Sequence, residues 1–371
     1  MHINLVSIFL ISSLGYFNFS EQALVTFIVS MSITHTYIDF IPSIFLGAPE
    51  EDTFLSVLPG HQMLKQGLAH EAVVLSLYGS FLSLFIIFLF IPVLFFFSNF
   101  FFLIQKIIPY TLIFLSFYMV FREKNVFIAL IVFLFSGILG LISFNLPVAQ
   151  PLFPLLTGLF GTSSLLITIK QNPIIPKQSL TNLSKIKVTK TELKNSLLGA
   201  FISAPLCSFF PGLGAGHAGF IGSEVLKQNK RSFLMLLGMI NTIVMGISFA
   251  VLFLFERTRT GSAIAISKII ELSLFDFSLI GLVIIFSGIS SFFIALKISK
   301  FFSRKISLFN YKKISITVLI FLFSLTFILT DFIGIIILIT STSIGVFCIL
   351  SKIKRINLMG VLIMPSIISY I

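Results

Sequence analysis

The chain has 371 residues, 57% of them hydrophobic and 10% charged, with a formal net charge of +12. Several apolar runs exceed the roughly 18 residues that read as a membrane-spanning helix, which excludes an ordinary soluble domain. The surplus Lys and Arg sit in short clusters between these runs, where membrane proteins record orientation, and this argues against nucleic-acid binding.

In chain order, the first residues, MHINLVSIFLISSLG, look superficially like a signal peptide but lack a basic n-region and a small-x-small cleavage site, so they are read as part of the mature fold. Apolar segments follow at 22–46, 72–95, 107–121, 125–145 and 151–169. A polar stretch, 170–194, holds six Lys, one Glu and two Pro and reads as a linker. Beyond it lie a short apolar pair at 195–210 and 212–226, then segments at 232–255, 274–296, 314–330, 332–350 and 356–371. Cys207 and Cys348 are isolated in apolar segments and support neither a disulfide framework nor a zinc site.

Sliding the chain against itself by about 207 residues brings 22–46 near 232–253, 107–121 onto 314–328 and 125–143 onto 332–350, an internal repeat in hydropathy. Each half has five spans plus a shorter apolar pair at its start, taken as a re-entrant hairpin. An odd number of crossings inverts the second half. The expected fold is therefore all-α and polytopic, with two inverted-topology repeats built from Pro/Gly-broken helices. Residues 1–169 form the first repeat, its N-terminal arm cut short or its start misplaced. Residues 170–194 form a cytoplasmic linker and 195–371 the second repeat. Charge supports the inversion: Lys227, Lys230 and Arg231, the cations from Lys297 to Lys313, and Lys352, Lys354 and Arg355 have first-half counterparts holding only Lys106. Arg122 and Lys124 fall opposite a position near Asp331. The loop pair 47–71 and 254–278 runs against the rule, and function is expected there.

In that pair, the cluster Glu50, Glu51, Asp52 and Thr53 aligns at the repeat offset so that Glu50 falls on Arg257, Asp52 on Arg259 and Thr53 on Thr260. Three ionised carboxylates at the bilayer centre would cost about 10 kcal/mol, so the acids cannot face lipid. They line a watery cavity and take a coupling proton or cation, or they lie in a solvated turn, or they cap the following helix. Arg257 and Arg259 offer planar forks to an anion, or snorkel at the interface. His35 and Asp39 share a helical face as a proton relay or a satisfied polar contact. In FFPGLGAGHAGFIGSEV, Pro211, Gly212, Gly214, Gly216 and His217 read as an unwound helix start aiming amides at an anion, or as close packing of small residues. No protease, hydrolase or phosphate-loop motif is present, which argues against an enzyme.

The stretch GAPEEDTFLSVLPGHQMLKQGLAHEAV, through Pro49, Pro59, Gly60, Met63, Lys65, Gln66, Gly67, Glu71 and Ala72, resembles the large membrane permease of tripartite tricarboxylate transporters. It looks most like that family's short archaeal relatives, and Pro211 to Gly219 resembles its Pro-Gly-x-Gly motif. Bacterial members are longer, and the acids after Pro49 replace small polar residues. The resemblance implies ion-coupled import of an organic anion such as a carboxylate across the plasma membrane. It also implies a small membrane subunit and an extracytoplasmic binding protein as partners. No cofactor is expected beyond a coupling proton or Na+. The acids would repel a carboxylate unless protonated or bound to a cation. Transport is expected as one half rocking on the other. Two other readings stand beside this one: a flippase for a polyprenyl-phosphate lipid, which needs the same arginines and a lateral opening, and a structural membrane subunit.

Overall fold

The computed structural model describes residues 20–47, 53–97, 101–148, 150–171, 175–209, 214–256, 260–308 and 310–370. Among them the regular structure is entirely helical, and seven helices are long and apolar enough to cross a membrane. In chain order these residues form α1 (Glu21–Ile38), α2 (Phe40–Leu46), α3 (Val57–Lys65), α4 (Ala69–Phe97), α5 (Phe101–Phe121), α6 (Val126–Asn145), α7 (Leu152–Leu156) and α8 (Ser163–Gln171). The second half gives α9 (Lys190–Phe209), α10 (Ala215–Val225), α11 (Lys230–Phe255), α12 (Gly261–Ser267), α13 (Leu274–Lys305), α14 (Tyr311–Leu350) and α15 (Gly360–Tyr370). A π-helical turn, Thr157–Thr162, joins α7 to α8. At about 1.5 Å per residue α14 would be twice the thickness of a bilayer core, and it breaks at Asp331 (φ 52°, ψ −159°), giving two helices of spanning length.

The residues are partitioned inside out. Phe85, Phe114, Phe127, Phe286 and Phe332 project from the helix surfaces, whereas Ser32, Ser76, Ser136, Ser299 and Thr326 are buried between helices. Lipid tails solvate Phe as well as a protein core does, so helices associate through small residues that let backbones approach. The most enclosed helix is α11, with 94% of its most apolar 18-residue window buried against 44% for α4. Its crossing with α4 is set by glycine: a Cβ at Gly238 would fall against the Ser76 backbone, and one at Gly79 against the Met235 backbone.

Packing does not divide at the linker. Helix α4 of the first half lies on α11 of the second, and α13 of the second lies on α1 of the first, where Ser287 donates to Ser30 and Ser291 to Thr34, both at 2.9 Å. The exchange recurs among the remaining helices, since α6 packs on α15 and the end of α14 packs on α7, α8 and the π turn. Matching residues make these contacts. Gly140 lies against the Val361 backbone and Gly345 against that of Leu159. Gly360 meets the Phe133 carbonyl and Gly158 that of Leu338. Ser136 donates to the Asn357 carbonyl at 3.4 Å and Ser341 to the Pro154 carbonyl at 3.1 Å. Ser136 and Ser341, like Gly140 and Gly345, lie 205 residues apart in the chain.

Two bundles result, each drawn from both halves. The first contains α1–α4 and α9–α13, and the second contains α5–α8, α14 and α15. The linker belongs to the first: Gln178 accepts from the Ala69 amide at 3.0 Å and donates to the Leu64 carbonyl at 3.1 Å, and the Ser179 amide donates to the Gly67 carbonyl at 2.7 Å. Helices α9 and α10 fold back on one another, so that Asn195 near the start of α9 donates to the Lys227 carbonyl just past the end of α10 at 2.9 Å.

Candidate functional site

Of the residues singled out from sequence, Pro49, Glu50, Glu51, Asp52, Pro211, Gly212, Arg257 and Arg259 lie outside the described residues. The others are distributed as follows. Thr53 is buried, and its carbonyl accepts from Ser43 at 3.2 Å and Ser56 at 2.7 Å, opening a 3-10 turn at Phe54–Ser56. Thr260 is the N-cap of α12, its hydroxyl accepting from the Ala263 amide at 3.3 Å and lying 3.1 Å from the Ser248 hydroxyl. Both threonines open a short segment and are tied by a serine to the helix before it, Thr53 to Ser43 on the short α2 and Thr260 to Ser248 on the long α11. His35 and Asp39 fall where α1 gives way to α2, with Asp39 buried at the junction.

At the start of α10 the chemistry is local. The Gly214 amide donates to His217 Nδ1 at 3.0 Å, and the His217 amide donates to the Gly214 carbonyl at 3.0 Å. His217 therefore caps its own helix, and one of the amides that an anion would use is occupied. Gly216 is buried on the same helix. Gly219 and Gly222 serve close packing, since a Cβ there would meet Leu237 and the Gly199 carbonyl respectively.

A concentration of charge lies elsewhere, at the seam between the bundles. A cavity of about 650 Å³ is lined from the first bundle by Leu55, Pro59 and Gln62, by Phe220, Ser223 and Glu224 on α10, and by residues 227–230. From the second bundle it is lined by Arg122 at the end of α5 and by residues 354–356. Five of the lining residues are cations (Arg122, Lys227, Lys230, Lys354 and Arg355) and Glu224 is the acid among them. Arg355 is anchored, donating to Ser164 Oγ at 2.6 Å and to the Phe160 carbonyl at 3.4 Å. Lys354 is set by the Glu123 carboxylate, which accepts its amide at 3.2 Å and Asn357 Nδ2 at 3.1 Å. A low-dielectric wall carrying five positive charges concentrates anions.

The cavity's cations serve in the sequence as markers of orientation, and hydropathy gives no reason for loops 100 residues apart to converge. The signal that points there is the acid in GFIGSEV, a carboxylate one turn before a basic loop at the end of a glycine-rich helix.

Beside the cavity stands a partly buried ion triad. Arg231, next to Lys230, pairs with Glu71 at the start of α4 and with Glu192 on α9 at 3.0 Å, and donates to the Lys187 carbonyl at 2.7 Å. Glu192 also accepts from Asn229 at 3.1 Å and from the Thr189 amide at 2.9 Å. The cavity and the triad therefore share the side of the molecule that carries the linker. Between the lining residues Pro59 and Gln62 on α3, His61 lies 3.1 Å from the Tyr311 hydroxyl, which donates to the Phe45 carbonyl at 3.0 Å. Burial, with Lys65 and Arg355 adding to it, holds the His61 imidazole down at about 4. No group of three or more His, Cys, Asp or Glu able to hold a metal occurs among the described residues.

The family model described as the tripartite tricarboxylate transporter TctA family matches residues 1–360. An uncharacterized protein of Methanocaldococcus jannaschii is 30% identical over 378 residues, covering 96% of this chain and 91% of that one. No solved structure matches.

Proposed function

The chain belongs to the tripartite tricarboxylate transporter TctA family, and on that premise we propose that it is an ion-coupled permease for organic anions such as carboxylates. The observation that carries the reading is the seam cavity. A space of about 650 Å³ suits a small organic acid, and Arg122, Lys227, Lys230, Lys354 and Arg355 supply the charge to hold one. The clustering of these cations with the basic linker on one side agrees with a cytoplasmic face, so the cavity is where the anion is held on the inner side. The repeat-related segments opened by Thr53 and Thr260 supply the passage beyond it, with Glu50, Glu51, Asp52, His35 and Asp39 available to a coupling proton or Na+. Arg257 and Arg259 are the cations of that passage. A small membrane subunit and an extracytoplasmic binding protein would complete the assembly, as the family's tripartite description implies.

Uptake of labelled citrate and succinate into proteoliposomes, with a proton or Na+ gradient, tests the reading. Lys354→Ala and Arg259→Ala are each expected to abolish uptake while membrane insertion is retained. Uptake unchanged in Lys354→Ala would remove the cavity from the pathway, and unchanged uptake in Arg259→Ala would remove the anion clamp.

A further inference from the structure

The acid in the basic cavity has a specific partner. Glu224 on α10, in the first bundle, pairs with Arg122 at the end of α5, in the second, and accepts from the Tyr118 hydroxyl at 3.2 Å. Arg122 also donates to that hydroxyl and lies over the Tyr118 ring, 5.6 Å from its centroid. One turn earlier on both helices, the Tyr118 and Phe220 rings are 6.4 Å apart. This two-turn contact bridges the bundles, which among the described residues also meet through Tyr311 with Phe45 and His61, through Lys65 with Gln171, through α10 with the 355–359 turn and through α2 with α14.

We propose that Glu224 is a built-in competitor for the transported anion: it holds Arg122 across the seam until a substrate carboxylate takes that guanidinium, and its displacement frees the two bundles to move. The proposal rests on the reading of the cavity as the anion site. Glu224 and the Tyr118 hydroxyl share one nitrogen of Arg122, Nη1, and that nitrogen faces the cavity's acid, so a substrate carboxylate that takes it competes with Glu224 for the same donor. The pair is poised for exchange, because the Arg122 side chain is 48% exposed and that of Glu224 18%. An ion pair open to water is weak enough for a soluble acid to replace. The displaced carboxylate does not stay unpaired, because Lys227 and Lys230 line the same cavity. The direction of movement follows from packing. Rocking one sequence half on the other would tear the glycine crossings Gly238–Ser76, Gly140–Val361 and Gly345–Leu159, whereas parting the bundles breaks a few polar and aromatic contacts.

Calorimetric titration of the purified full-length protein with citrate tests this. Glu224→Gln is expected to bind citrate about fivefold more tightly, the factor that corresponds to removing a competitor worth about 1 kcal/mol. Arg122→Gln is expected to bind it at least about fivefold more weakly on the same scale. If Glu224→Gln does not yield folded protein, Tyr118→Phe, which removes the hydroxyl's bond to Glu224 and the one it accepts from Arg122 while keeping both charges, is expected to tighten citrate about twofold by the same arithmetic. Unchanged or weaker binding in a monodisperse Glu224→Gln protein overturns the competitor proposal and leaves the cavity reading standing. Absence of citrate binding in the wild type and every variant overturns the cavity reading itself.

Discussion

Replacing Arg231 by Met tests where the stability of the fold lies. Arg231 holds two carboxylates, and the Glu71 and Glu192 side chains are only 12% and 8% exposed. Glu192 would keep the Thr189 amide and Asn229 after the change, whereas Glu71 would lose the guanidinium that pairs it. Breaking a fully buried pair costs about 3–5 kcal/mol. Arg231 is itself 30% exposed, which discounts the loss to about 2–3 kcal/mol. Adding Glu71→Gln to Arg231→Met removes the stranded charge and is expected to restore at least about 1 kcal/mol. The four proteins of this double-mutant cycle can be compared by SDS titration in mixed micelles, with helicity as the probe. A coupling energy below about 0.5 kcal/mol would refute the argument, because Glu71 would then be solvated independently of Arg231.

Other consequences are checked by similar means. At Gly238 even a methyl group must displace the Ser76 backbone, so Gly238→Ala is expected to cost about 1–3 kcal/mol, read as a lower melting temperature. Gly281→Ala, whose Cβ would meet the Phe88 ring at an ordinary 3.4 Å, is the matched control and is expected to be neutral. The His61 imidazole is held near 4, below its ordinary 6.5, so the fold favours its neutral form. The corresponding stability is present above pH 6.5 and is lost as the pH falls from 6.5 towards 4. Melting temperature should therefore fall between pH 7.5 and 5.0 in the wild type and fall less in His61→Phe, and an equal fall in both proteins would exclude His61 as the cause. Lys354→Glu should weaken citrate binding at least about tenfold, whereas Lys312→Glu, on the exposed start of α14 and outside the cavity, should leave it within about twofold.

Much of the architecture is legible in the sequence because a membrane simplifies the problem. Runs such as 72–95 and 232–255 read directly as α4 and α11, since a spanning segment has to be a helix and has to be about 20 residues long. The Pro-Gly hairpin at 195–226 is legible for the same reason: two apolar segments joined by glycines are too short to form two full spans, and Asn195 meets Lys227 as they return. Helix partners are another matter. Neither hydropathy nor charge distinguishes α4 lying on α11 from α4 lying on α1, because what decides it is the absence of a side chain at Gly79 and Gly238 on facing turns. The candidate site is hidden by the same gap. Arg122, Lys227 and Lys354 each mark orientation in their own loops, and they become a cavity only when α5 is set beside α10 and the 355–359 turn.

The distribution of contacts separates what holds the molecule together from what it can move. Within each bundle the crossings are backbone against backbone, at Gly238, Gly140, Gly345 and Gly360, and a void or a shift there is costly because lipid offers no compensating solvent. Between the bundles the side-chain ties include a half-exposed ion pair at Arg122 and Glu224, an aromatic contact at Tyr118 and Phe220, the Lys65 bond to Gln171, and the Tyr311 hydroxyl on Phe45 and His61. Contacts of that kind exchange with water or a solute at small cost, and segments that move in a working cycle are drawn from the weakly held end of a structure. The seam between the bundles is therefore both the place where charge gathers and the place where the fold yields most easily. A permease needs those two properties at one location, since a substrate changes a conformational equilibrium only through contacts that differ between its states.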